Sequence, residues 1–294
     1  MAASSPTDRQ IQFPNEYFHT VVLETLWHPD GVYNGDSVRE DVRVVMRGTG
    51  FFYRIEGAPF LVTARHMFTT RAWRTNSWMP HPVHAVTPTA MRIHLRVATP
   101  SGEFDAEKLQ YVDFVVPLVD TEGNPAWFEH PRGISVDLAA RQLLDLPIDG
   151  MHFLPLEPKD AAYGDEPRFW VTQDVFIVGH PFGLNHGYLW PIWIRGSVAS
   201  EPSLFFNYKE DEYPLFLVDS RTRPGNSGSP VFLMRRHFTD LNTDGDALPR
   251  SRLLGVYTGR INEESDLGIV WHIGEVDRMC RAMQNPAKES LSQR

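Results

Sequence analysis

In two segments of this chain, hydrophobic side chains recur at every second position. Val42, Val44 and Met46 fall on one side of an extended backbone and Arg43 and Arg47 on the other; Ile93, Leu95 and Val97 alternate in the same way with His94 and Arg96. Successive side chains of a strand point to opposite faces, so a period of two predicts half-buried β-strands. Continuous apolar runs follow at Val175 to Val178, Leu215 to Val218, Leu253 to Tyr257 and Ile269 to Ile273. Their length suits strands buried on both faces. The 21 glycines and 23 prolines are spread along the chain, as many short strands joined by turns require. The fold class expected is therefore all-β. One segment departs from it: Ile273, Val276, Cys280 and Met283 share a face at spacings of three and four, which predicts a C-terminal helix. Cys280 on that face reads as a small buried hydrophobe.

The chain shows no internal repeat. A polar, proline-containing stretch from Leu154 to Pro167 reads as a linker. The expected organisation is a flexible N-terminus over 1–16, a first β unit over 17–157, a second over 158–272, and a helix with a polar tail over 273–294.

Three segments carry chemistry. Gly225-Asn226-Ser227-Gly228-Ser229-Pro230 places a serine between glycines and ahead of the apolar pair Val231 and Phe232. Glycine lets a substrate carbonyl approach the backbone and adopts turn angles that other residues avoid. Successive N–H groups in such a turn can converge on an oxyanion. Upstream, the apolar run Phe60-Leu61-Val62 leads into Thr63-Ala64-Arg65-His66. Two aspartates compete as partners for that histidine. Asp113 opens Asp-Phe-Val-Val-Pro-Leu within an expected strand from Tyr111 to Val119. Asp137 opens Asp-Leu-Ala-Ala, after His130-Pro131 and beyond a polar turn at Asp120 to Pro125. A third pairing, His180 with His186 in a Gly/Pro-rich segment, could suggest a metal site. No ligand of suitable spacing accompanies it, and a turn is the favoured reading.

The serine loop resembles that of the chymotrypsin-like serine proteases, and Pro224, Asn226 and Asp219 resemble the HtrA branch. Leu61, Thr63, Ala64 and His66 are similar to the histidine segment of that family, and Gly48-Thr49-Gly50-Phe51-Phe52 to the strand before it. The resemblance favours Asp137 as the acid, with Asp113 the alternative. It implies two antiparallel six-stranded β-barrels with a C-terminal helix, a His66–Asp137–Ser227 triad, and an oxyanion hole at Gly225, Asn226 and Ser227. The order His, Asp, Ser differs from that of α/β-hydrolases and subtilisins, and Ser229 breaks the Gly-x-Ser-x-Gly elbow. Thr258, Gly259 and Arg260 resemble the strand beside the substrate backbone. Counting back six residues from the serine gives Arg221 where trypsin has an acid, so selection of Lys or Arg is not expected. Asn226 replaces the aspartate that pairs with a new N-terminus in zymogen-activated members, so no zymogen cleavage is expected. The residues after the last expected strand are too few for a PDZ domain. The expected activity is peptide-bond hydrolysis; a catalytically silent binding module, or an esterase using the same triad, are the alternatives.

Composition narrows the classes further. A net charge of −9 argues against nucleic acid and anionic membranes as partners. No cofactor is expected. A single cysteine excludes an internal disulfide and suggests a reducing compartment, the cytoplasm. Residues Met1 to Asn15 lack the basic and apolar regions of a signal peptide. No apolar stretch approaches the roughly 18 residues of a membrane span.

Overall fold

The computed structural model describes residues 15–31, 33, 41–80, 85–97, 110–143, 154–161, 169–184, 189–208, 210–235, 250–262 and 264–284. The first half forms a seven-stranded antiparallel sheet from β1 (Thr20–Trp27), β2 (Arg43–Ile55), β3 (Ala58–Thr63), β4 (Ala90–Val97), β5 (Gln110–Pro117), β6 (Phe128–Glu129) and β7 (Ala139–Gln142). Its order is β5-β4-β1-β2-β3-β7-β6. The two-residue β6, pairing on β7, is the strand beyond the expected six. The second half contains β8 (Asp174–Gly179), β9 (Ile192–Val198), β10 (Phe206–Tyr208), β11 (Asp211–Tyr213), β12 (Leu215–Ser220), β13 (Ser229–Arg235), β14 (Arg250–Arg260) and β15 (Leu267–His272). Strands β12-β15-β14-β13-β8-β9 close into a six-stranded barrel, and β10 and β11 form a separate hairpin. A short helix α1 (His66–Thr69) follows β3, and helix α2 (Ile273–Gln284) follows β15. The all-β class with a C-terminal helix is thus as expected, the second half as a closed six-stranded barrel and the first as a seven-stranded sheet. Residues 1–14 and 285–294 lie outside the described residues.

Pattern explains how the layers meet. On β2, Phe52 faces a core inside the first sheet, packed with Leu23, Leu61 and Ile93. Its neighbours Phe51, Tyr53 and Ile55 face the opposite way, into a core shared with Phe232, Leu253, Val256 and Trp271 of the barrel and Val276 of α2. On β14, Leu254 turns into the barrel interior with Val175, Phe216 and Val231, whereas Leu253 joins the shared core. Continuous apolar runs occur where both faces of a strand are covered. The stretch from Leu154 to Ala161 crosses between the halves: Leu156 bridges Tyr53 of β2, and Ala161 bridges Leu253 of β14.

One expectation from periodicity needs adjustment. Arg96 is buried rather than solvent-facing. Its Nη2 donates to the carbonyls of Thr20 and Leu189, and its guanidinium lies 4.9 Å from the Trp190 ring centroid. Burial pushes its pKa down to about 10. The helical stripe is as read, with Ile273, Val276 and Cys280 buried, and burial pushes the Cys280 thiol pKa up. Among the described residues no helix is long and apolar enough to cross a membrane.

Candidate active site

Strand register brings His66 and Asp137 together. β3 pairs with β7 so that Thr63 faces Ala139. Two residues further along β3 and two residues back from β7, the Arg65 N–H donates to the Asp137 carbonyl at 3.2 Å. The Asp137 carboxylate then accepts from the His66 backbone N–H at 3.0 Å and sits 2.8 Å from His66 Nδ1. Both side chains are buried. A carboxylate held this way keeps the proton on Nδ1, leaving Nε2 as the free, basic nitrogen. Asp113 is elsewhere. It stands half-exposed on β5, with Oδ1 2.7 Å from His94 Nδ1.

His130 ties its segment to its neighbours. This buried imidazole accepts the Arg132 N–H on Nδ1 at 3.1 Å. Its Nε2 lies 2.9 Å from Glu275 Oε2 on α2, without hydrogen-bond alignment. Its backbone N–H donates to Leu138, the residue after Asp137. Helix α2 is in turn tied to β2 by Tyr53 Oη, which donates to Asp277.

The serine loop sits on Thr49, in the middle of β2. The Thr49 N–H donates to the Ser227 carbonyl at 2.9 Å. Thr49 Oγ1 donates to the Gly225 carbonyl at 2.9 Å and accepts the His180 N–H at 2.9 Å. Gly225 and Gly228 have φ of +99° and +87°. A Cβ at Gly228 would lie 2.0 Å from the Thr49 carbonyl oxygen, and one at Gly225 would lie 2.4 Å from that of His180. Only glycine meets both demands at once. The Gly228 N–H donates to Tyr257 and the Asn226 N–H to Arg223. Among the described residues no protein acceptor takes the N–H of Gly225 or of Ser227, so these two remain available to a substrate oxygen, while that of Asn226 is engaged. Ser227 Oγ donates to the Thr258 carbonyl at 3.1 Å.

His66, Asp137, Gly225 and Ser227 line one cavity of about 670 Å³, together with Thr258, Gly259 and Arg260 of β14. A sequence profile for the trypsin-like peptidase domain matches residues 48–237, a span that includes His66, Asp137 and Ser227. The chain belongs to the trypsin-like peptidase family. It is accordingly a serine protease by class. Among solved structures, Rv3671c protease in its inactive form is 17% identical, with 95% of this chain and 97% of that chain covered and a TM-score of 0.46. The active form of Rv3671c protease from M. tuberculosis is 15% identical, with 95% and 92% covered and a TM-score of 0.46. A comparison with curated proteins found no match.

Other expected residues of this trypsin-like peptidase stand as follows. Arg221 is exposed and lies off the cavity, whereas Arg223, not singled out by counting, lines it. Thr222, between them, points inward to Tyr257 Oη at 2.5 Å. Trp73, before β4, also lines the cavity. It packs edge-on against Trp271, whose Nε1 donates to Thr258 Oγ1. His180 is buried, its pKa pushed down to about 3 chiefly by burial and then by the charge of Arg96. It leads into a tight turn at Pro181–Gly183, and His186 lies outside the described residues.

Thr49 is the residue that sequence reading undervalued. Thr49→Val keeps its shape but strands the Gly225 carbonyl and the His180 N–H. Each buried group left unpaired costs about 1–3 kcal/mol, so urea unfolding is expected to show a loss of about 2–4 kcal/mol.

Proposed function

We propose that this peptidase is an endopeptidase that works through His66, Asp137 and Ser227, with residues 17–157 supplying the first two and 158–272 the serine. The observation that carries the reading is the convergence on one cavity of a buried Asp137–His66 pair, Ser227 and two unengaged N–H donors. Rotation about χ1 turns Ser227 Oγ from the Thr258 carbonyl toward His66 Nε2. Oγ then attacks the substrate carbonyl carbon, and its proton passes to Nε2. The resulting oxyanion is held by the N–H groups of Gly225 and Ser227. Collapse breaks the C–N bond, and His66 returns the proton to the leaving amine. Water repeats the sequence on the acyl-enzyme and frees the acid. Asp137 keeps its charge throughout and stabilises the imidazolium.

Two finer features belong to this proposal. Asn226 is buried and neutral, with Nδ2 donating to the Arg223 carbonyl; it is a poor counter-ion for a newly freed amine, which supports activity without zymogen cleavage. No acid lies on the cavity wall apart from Asp137 among the described residues, which speaks against selection of Lys or Arg.

Fluorophosphonate labelling tests the reading. The folded protein is expected to take up one adduct, mapped by mass spectrometry to Ser227, and Ser227→Ala to take up none. A folded wild-type protein that stays unlabelled refutes it and leaves a binding module as the remaining account.

A further inference from the structure

The chain is strongly acidic, yet its cleft is not. Arg47, Arg223 and Arg260 all reach the cavity that holds Ser227, and Asp137, already committed to His66, is the one acidic residue on that wall among the described residues. Arg47 is matched by Glu24, whose Oε1 is 2.8 Å from its Nε. Arg223 and Arg260 are different: no carboxylate among the described residues pairs with either.

Both arginines stand around a pair of buried hydroxyls. Tyr257 Oη and Thr222 Oγ1 are hydrogen-bonded at 2.5 Å, and Tyr257 lines the cavity. Burial pushes the Tyr257 pKa up to about 12, opposed by the Thr222 hydrogen bond and then by the charges of Arg260 and Arg223, with Asp266 acting in the same sense as burial. The phenol therefore stays protonated at neutral pH, as a donor and not as a competing anion. Arg223 is braced by its own Nη1, which donates to the Thr222 carbonyl at 2.8 Å. Residues 223–225 and 257–260 line the same cavity as Ser227. An anionic side chain entering there would find two guanidinium groups without carboxylate partners.

We propose that the cleft selects acidic peptides, seating an aspartate or glutamate side chain against Arg223 and Arg260 when that residue supplies the attacked carbonyl. The inference rests on the protease reading above and names its substrate class. Guanidinium–carboxylate hydrogen bonds are charge-assisted and are strengthened as substrate excludes water from the cleft. Their worth corresponds to roughly 10- to 100-fold in kcat/KM, and it falls as salt screens the charges.

The test uses matched fluorogenic peptides with Glu or Gln at the residue that supplies the attacked carbonyl. The concentration of competent enzyme is fixed by fluorophosphonate titration. Wild type is expected to favour the Glu peptide roughly 10- to 100-fold at low salt. Arg223→Ala and Arg260→Gln are each expected to shrink that ratio about tenfold. The ratio is read within each variant, so a loss of folded protein scales both peptides equally. Labelling at Ser227 with equal rates on the two peptides overturns the inference and leaves the protease reading intact. A wild-type protein that does not label overturns both.

Discussion

Ser227→Ala is expected to lower peptide-bond hydrolysis by on the order of 10⁶-fold in kcat, the loss seen when a triad nucleophile is removed elsewhere. The side chain is small and, among the described residues, its hydroxyl makes one hydrogen bond, to the Thr258 carbonyl. Stability should therefore change little, and the Gly225 and Gly228 turns should hold as before. His66→Ala is expected to cost about as much, and the double variant no more than either alone, because the residues act as one unit. Single-turnover kinetics on a fluorogenic peptide, with thermal unfolding as a control, separates this outcome from a folding defect. Additive losses would mean that Ser227 and His66 do not act together.

Asp137→Asn has the second-largest expected effect. It removes the charge that holds the proton on His66 Nδ1 and favours the opposite tautomer. Turnover is expected to fall about 10⁴-fold with the site geometry retained. Asp113→Asn provides the contrast. That carboxylate is half-exposed and pairs with His94 on β4, so its loss should change turnover by no more than a few-fold, in keeping with the small worth of exposed ion pairs. Steady-state assays of the two variants side by side check the assignment. A larger loss in Asp113→Asn would reverse it.

What is legible in the sequence alone follows a physical division. His66 and Ser227 lie in segments whose local chemistry is distinctive: small residues before an imidazole, glycines around a hydroxyl. Strand type was legible because an apolar side chain at every second position leaves few alternatives. Register was not. Only the pairing of Thr63 with Ala139 brings Asp137 rather than Asp113 to His66, and register depends on cross-strand contacts that no single segment encodes. Arg96 obeyed the alternation of β4 in sequence but not in burial, because its partners, Thr20, Leu189 and Trp190, come from distant parts of the chain. Arg223 was missed for a local reason. Counting assumes that successive residues keep one geometry, and the inward turn of Thr222 between Arg221 and Pro224 breaks it. Thr49 appeared only as one letter of a glycine-rich strand, although its hydroxyl joins the two halves beneath Ser227.

The contact between His130 and Glu275 sets an order of events in time. Protein synthesis runs from the N-terminus, so a ribosome has made His66, Asp137 and Ser227 well before it adds Glu275. Until that glutamate leaves the exit tunnel, the segment carrying Asp137 lacks its brace on α2, and Tyr53 lacks its partner Asp277. The last described helix thus completes these two ties only after the rest of both halves has been made.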